Sequence, residues 1–270
     1  MTRPRTGFPY LDEGVDRGEV LAFAHRGGAR HPDLVGLENT LTAFRHAVGL
    51  GYRYLETDVH ATSDGVLLAF HDDVLDRVTD TAGLLSRLTY AEVAKARIGA
   101  LDAVPTLEQL FEELPSARFN IDIKHEAAVE PLAELIARTG RQDAVCVGSF
   151  SGHSIARFRR VAGPRVATSC ATGAVVVRRF VPVTGRSWPH GAVLQVPHRY
   201  RALGRSLRII TAGFVRRAHA KGLPVHAWTI DDRDKMNELL DLGVDGIFTD
   251  RTDVLRDVLV ARGQWREMDR

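Results

Sequence analysis

Between Ala24 and Asp73 the chain sets out His25, His71, Glu38, Glu56, Asp58 and Arg26 where strands should end or loops begin. Such positions suit chemistry better than packing, because a scaffold holds them without spending them on its core. The sharpest unit is Tyr54-Leu55-Glu56-Thr57-Asp58-Val59-His60. On a strand, alternation turns Leu55, Thr57 and Val59 one way and Glu56 and Asp58 the other. Two carboxylates on one half-buried face repel, and a hard divalent cation, Mg2+ or Ca2+, removes that cost by taking oxygen ligands. The rival reading is a solvated edge strand with scattered acids. Arg118 to Lys124 repeats the pattern, with Asn120, Asp122 and Lys124 sharing one face. His25 and His71 each follow an apolar run and stand beside the acids, and histidine, with an unperturbed pKa of about 6.5, serves as acid or base near neutral pH. The other nine of the eleven histidines, His31 and His46 among them, read as surface or satisfied core groups, with His60 and His125 the nearest to the acids.

The elements that must position these groups alternate. An apolar strand over 20–24 delivers His25, and Gly27-Gly28 permits a tight turn after it. Asn39 or Thr40 caps a helix running to about residue 50. Ser63-Asp64-Gly65 is a hairpin signal, so the arm 66–70 folds His71 back towards Glu56 and Asp58. The segment 73–104 has no strong period and is expected as an insertion forming one wall of a cleft. Helix 107–114 and strand 118–124 follow. Then come helix 129–139, strand 144–148, helix 154–162, strand 166–169, helix 175–180, strand 192–196, helix 212–221, strand 225–229, helix 231–242, strand 246–249 and helix 253–262. Eight strands alternating with helices predict an α/β fold, a (β/α)8 TIM barrel over 1–270 as a single domain, with 1–19 an irregular lead-in that packs across one end of it. Active sites of such barrels lie at the carboxyl ends of the strands, which here hold His25, Asp58, Lys124, Gln195 and Trp228. Trp228 and Gln195 are the weaker candidates, as an aromatic at a strand end also serves barrel-top packing.

The 270 residues suit one such barrel, and 44% hydrophobic with 26% charged residues is ordinary for a globular protein. A net charge of +2 gives no reason to expect a nucleic-acid partner. No apolar stretch approaches the roughly 18 residues of a membrane span, and the N-terminus lacks the apolar core of a signal peptide. Cys146 and Cys170 lack metal-ligand spacing and read as buried thiols of a reducing compartment, so a cytoplasmic location is expected. The oligomeric state stays open.

These fragments together resemble the glycerophosphodiester phosphodiesterase family. The likeness runs through AHRGG at 24–28, LENT at 37–40, YLETDVHATSDGVLLAFHDDVLDRVTD at 54–80, VPTLEQLF at 104–111, NIDIK at 120–124, HAWTID at 226–231 and GVDGIFTD at 243–250. Each fragment is weak alone, but their order and spacing are specific. The resemblance implies a metal-dependent barrel that hydrolyses small-molecule glycerophosphodiesters to glycerol 3-phosphate and an alcohol. It implies Glu56, Asp58 and Asp122 as ligands of Mg2+ or Ca2+, His25 and His71 as the acid–base pair, and Arg26 and Lys124 as phosphate-binding cations. Glu38 matches an acid at the family's site, either a ligand or a supporting group. The chain departs from the family at Asp122, where Glu is usual, and at Thr252, where Pro is frequent. Two rivals stand beside this reading. One is a lysophospholipase D-type activity, with Leu84, Leu85, Leu88 and Tyr90 offering an acyl groove. The other is a non-catalytic barrel that binds phosphorylated polyols.

Overall fold

The computed structural model describes residues 3–171, 190–202 and 205–266. Eight parallel strands, numbered here as barrel strands only, are β1 Leu21–His25, β2 Tyr54–Ala61, β3 Arg118–Ile123, β4 Val145–Gly148, β5 Ala167–Thr168, β6 Leu194–Pro197, β7 Val225–Trp228 and β8 Gly246–Thr249. They pair in the order β5-β4-β3-β2-β1-β8-β7-β6. A parallel bridge between Ser169 and Val193 joins the two ends, with Ala192 N–H donating to Thr168 O at 2.7 Å. The sheet is therefore a closed (β/α)8 TIM barrel, and closure leaves no edge to cover.

Side-chain alternation sorts the strands into three environments. Outward residues such as Leu55, Phe119, Ile121, Val147, Val225 and Ile247 pack under the surrounding helices in the main core. Inward residues near the strand starts, including Phe23, Tyr54, Cys146 and Phe248, form a separate apolar layer, with Phe23 stacked on Phe248 at 4.1 Å. Inward residues near the carboxyl ends are polar and make the site.

The lead-in packs across one end of the barrel as expected, but it is not irregular. Pro9–Arg17 is a helix, opened by Pro at its first turn and ended by Gly18 at φ 70°. Proline and glycine there mark helix ends rather than a loop. Tyr10 and Leu11 seat it against the lower layer, and Tyr54 Oη donates to the Tyr10 carbonyl at 3.0 Å. The barrel is thus plugged at the end opposite the site.

The arm Leu67–Ala69 pairs antiparallel with β2, Val59 opposite Ala69, as the Asp-Gly turn predicts. The insertion 73–104 builds a small core of its own from Leu75, Leu85, Val93, Ala96 and Ile98 beneath Phe70. The helix expected at 175–180 lies outside the described residues. No described helix is long and apolar enough to cross a membrane.

Candidate active site

Register places the acids. Glu56 stands opposite Asn120 and Asp58 opposite Asp122 on the neighbouring strands β2 and β3, all facing into the barrel mouth. A cavity of about 230 Å3 opens there, lined among others by His25, Arg26, Glu56, Asp58, His71, Asp122 and Lys124. Gln195 and Trp228 also line it, as expected from their strand ends. Glu38 does not; it stands behind Arg26, held by Arg26 Nη1 at 3.1 Å and by the Arg77 guanidinium.

The carboxylates are interleaved with cations. Lys124 Nζ lies 2.8 Å from Asp58 and 2.7 Å from Asp122, and Arg26 Nε lies 3.1 Å from Asp58. Burial disfavours charge on Asp58, but Lys124 and Arg26 outweigh it and bring the carboxyl down to about 2. Glu56 goes the other way, pushed up to about 7 by burial and by Asp58. Burial also raises Asp122.

Both histidines are held by one nitrogen. His25 Nδ1 lies 2.6 Å from Asp250 Oδ1, and Nε2 faces Glu56 at 3.7 Å. Burial opposes charge on this ring, yet Glu56 and Asp250 raise it to about 9. His71 Nδ1 lies 2.5 Å from Asp72 Oδ1, and Arg77 anchors Asp72 in turn. His60 Nε2 donates to the His71 carbonyl at 3.0 Å, so of the two nearby histidines His60 supports the site, while His125 caps a turn through Ala127 N–H and does not enter it.

Two residues of the loop after β1 hold left-handed backbone, Arg26 at φ 51° and Asn39 at φ 58°. Such strain costs of the order of 1 kcal/mol or more and persists where surroundings enforce it. Arg26 N–H donates to Glu56, Asn39 N–H donates to the Arg26 carbonyl, and Asn39 Nδ2 donates to Asp58 Oδ2 at 3.1 Å. Thr40, not Asn39, caps the helix Leu41–Gly49, which leaves the Asn39 side chain for the site.

The expectation that 73–104 walls the cavity is corrected, because no residue of that segment lines it. Leu85 is buried in the insertion's own core with the half-buried Leu88 and Tyr90 packed against it, and none of the three lines the mouth cavity. The segment reaches the site only through Arg77. Sequence reasoning also passed over Asp250, Asp72, Asn39, Ser149 and Phe150. Of these, Asp250 inside the quoted GVDGIFTD, Asp72 inside HDD and Asn39 inside LENT lay in motifs that pointed here.

Asp122 keeps its place at the mouth despite the shorter side chain, with Lys124 on its carboxylate. Thr252 starts the last helix, Thr252–Ala261, and its buried side chain fills the space beside Gly28. Among the described residues, one trio of metal-ligating side chains has donor atoms within 4.8 Å of one another, and it is His31, Asp33 and His46, outside this cavity. The mouth carboxylates are spread around Lys124 instead.

Comparison with known proteins gives the family and the fold. The profile of the Glycerophosphoryl diester phosphodiesterase family matches residues 25–254. The chain is 42% identical over 261 residues to a protein of Mycobacterium tuberculosis named "Probable glycerophosphodiester phosphodiesterase 2", covering 94% of this chain and 96% of that one. It is 26% identical to the human "Lysophospholipase D GDPD1", over 88% of this chain and 85% of that one. A solved phosphodiesterase from Oleispira antarctica, in complex with the product sn-glycerol-3-phosphate, shares the fold at a TM-score of 0.74 and 21% identity, covering 91% and 98% of the two chains. Barrel, mouth and extended match together leave one conclusion: the chain belongs to the glycerophosphoryl diester phosphodiesterase family.

Proposed function

We propose that the chain hydrolyses glycerophosphodiesters to glycerol 3-phosphate and an alcohol, using a divalent cation and the pair His25 and His71. The observation that carries this reading is the shared arrangement of the two rings. Each has Nδ1 on a carboxylate, Asp250 or Asp72, which directs the opposite nitrogen to a reacting group, and both rings line the cavity that holds Arg26 and Lys124.

The donor set fits a hard dication. Glu56, Asp58 and Asp122 offer only oxygen, from two neighbouring strands facing one cavity. These three residues would hold Mg2+ or Ca2+, which when bound neutralises phosphate charge and polarises a phosphoryl oxygen. Arg26 and Lys124 add fixed positive charge for the anionic diester. Lys124 also lies 5.4 Å from the Phe150 ring, and Phe150 meets Trp228 edge-on, a patch suited to the alcohol moiety. The bond from phosphorus to the alcohol oxygen breaks as a new oxygen bonds to phosphorus, either that of water or that of the neighbouring glycerol hydroxyl, whose cyclic phosphate water then opens. One histidine takes the proton of the attacking hydroxyl or water and the other protonates the leaving alkoxide, each such transfer being worth about 10²–10⁴-fold. Asp250 and Asp72 hold the rings in the required tautomer.

A lysophospholipid substrate is the second reading, supported by Phe150, 62% exposed at the cavity rim, and by the name of the human relative. The insertion 73–104 acts in either case as part of one domain with the barrel, tied to the site by Arg77.

The test is release of glycerol 3-phosphate from glycerophosphocholine with Mg2+, with Ca2+ and with chelator, beside His25→Ala and His71→Ala. Product that requires a metal and falls at least about 10²-fold in both variants is expected. No product from any water-soluble diester with either ion sinks the reading, and release from lysophosphatidylcholine alone moves it to the second.

A further inference from the structure

A second cluster, which the chemistry above does not use, stands on the loop after β1. The 3₁₀ turn Pro32–Leu34 places Asp33 beside His31, and the helix Leu41–Gly49 presents His46 to both. His31 Nδ1 lies 3.8 Å from Asp33 Oδ2, and His46 Nε2 lies 3.9 Å from the same oxygen. The two rings are 4.4 Å apart between centroids and tilted by 60°. His31 is buried, and His46 Nδ1 is buried with no hydrogen-bond partner.

Two imidazoles at this distance repel when both are charged, and burial together with His31 holds His46 below its usual range. The neutral ring is the form that ligates metal. Imidazole with one carboxylate suits zinc and its neighbours, whereas the three carboxylates proposed as ligands at the mouth are the oxygen donors that suit Mg2+ or Ca2+. Zinc bonds of about 2.0–2.2 Å in a tetrahedron set ligand atoms roughly 3.4 Å apart. Closing the two histidine–aspartate distances from 3.8 and 3.9 Å asks for about half an ångström, which Asp33, with its side chain 75% exposed, is free to make, and all three donor atoms lie within 4.8 Å of one another. The His31 Nδ1 lone pair now accepts Asp33 N–H at 3.2 Å, a long bond that the ion would replace.

We propose that His31, Asp33 and His46 form a site for a borderline divalent cation, zinc above all, with water in the fourth position. The ion staples the loop that carries Arg26 and Glu38 to the helix that follows it. This is separate from the metal proposed at the barrel mouth in both place and donor chemistry.

The experiment titrates metal-free full-length protein with zinc against a chromophoric chelator, in excess Mg2+ to occupy the mouth carboxylates. Wild type is expected to take up one equivalent of zinc and to gain in Tm. Asp33→Ala and His46→Gln are expected to bind it at least tenfold more weakly and to show no zinc-dependent rise in Tm. Cobalt in place of zinc should give the visible bands of a four-coordinate ion in wild type only. Because the Asp33 side chain is exposed, Asp33→Ala keeps the test valid if a histidine variant folds poorly. Zinc uptake unchanged in both variants, or no uptake by wild type in excess Mg2+, overturns the proposal.

Discussion

At the scale of single residues, Asp250 holds the His25 ring and, with Glu56, favours its charge. Asp250 and His25 are separated by 225 positions and meet at 2.6 Å. In metal-free protein His25 is raised to about 9, since Glu56 and Asp250 outweigh the burial that opposes its charge. Asp250→Asn keeps the shape and removes the charge. The ring pKa should fall from about 9 towards the ordinary 6.5, read by NMR titration with chelator present. Turnover with metal should fall by about 10²-fold, because the tautomer is no longer enforced. An unmoved His25 titration would assign the raised value to Glu56 alone. Phe150 is the opposite kind of residue, exposed at the rim over Lys124 and against Trp228. Phe150→Ala should leave stability within about 0.5 kcal/mol, as surface changes do, while raising KM severalfold with kcat nearly intact. Steady-state kinetics beside a denaturant curve check both parts.

At the scale of elements, the β1 loop is the part with least freedom. Gly27 has φ 83°, and a Cβ there would stand 2.6 Å from Ala43 Cβ and 2.9 Å from the Ala43 carbonyl carbon. The helix Leu41–Gly49 cannot yield, since Ala43 and Phe44 are fully buried on it. Gly27→Ala is therefore expected to cost about 2 kcal/mol or more, from backbone strain and overpacking together, and to lower kcat because Arg26 moves with the turn. A stable variant with wild-type turnover would show that the loop is looser than its contacts state. The loop was readable in part. Gly27-Gly28 signalled a turn, and Asn39-Thr40 a cap, but the choice of Thr40 as cap and of Asn39 as a partner of Asp58 came from packing. The insertion was readable as an insertion only, because burial of Leu85 and Ile98 against Phe70 leaves no mark in a segment without a period.

At the scale of the molecule, alternation inside the barrel makes a polar top over an apolar floor. His226 sits in that floor, fully buried against Phe23 at 5.0 Å, with neither ring nitrogen hydrogen-bonded. Burial depresses its pKa to about 4. The unfolded chain takes up this proton as pH falls through about 6.5, and the folded barrel only near 4. The contribution is thus complete above about 6.5 and is lost as pH drops towards 4, about 3 kcal/mol in all. Urea unfolding at pH 4.5 and pH 7.5 should give His226→Leu a smaller difference between the two pH values than wild type. Equal differences would place the acid sensitivity elsewhere. The same floor predicts that Gly246→Ala, whose Cβ would meet Phe23 Cε2 at 2.8 Å and His226 Cδ2 at 2.9 Å, destabilises by about 1–3 kcal/mol without altering KM, as calorimetry and kinetics can check.

The sequence by itself determined the barrel and the inward face of β2 and β3. Both rest on a period of two along a strand, which is local, and on motifs whose order survives in one dimension. That is why Glu56, Asp58, Asp122, Lys124, His25 and His71 were legible, and why eight strands could be counted. Only the tertiary structure decided that Asp250 orients His25, that Arg77 links Asp72 to Glu38, that the helix Pro9–Arg17 closes the barrel floor, and that His31 and His46 face each other across Asp33. These pairings join segments whose separate patterns say nothing of each other. They exist because closing eight strands brings their ends to a single rim, and which side chains meet there is set by register, loop path and burial.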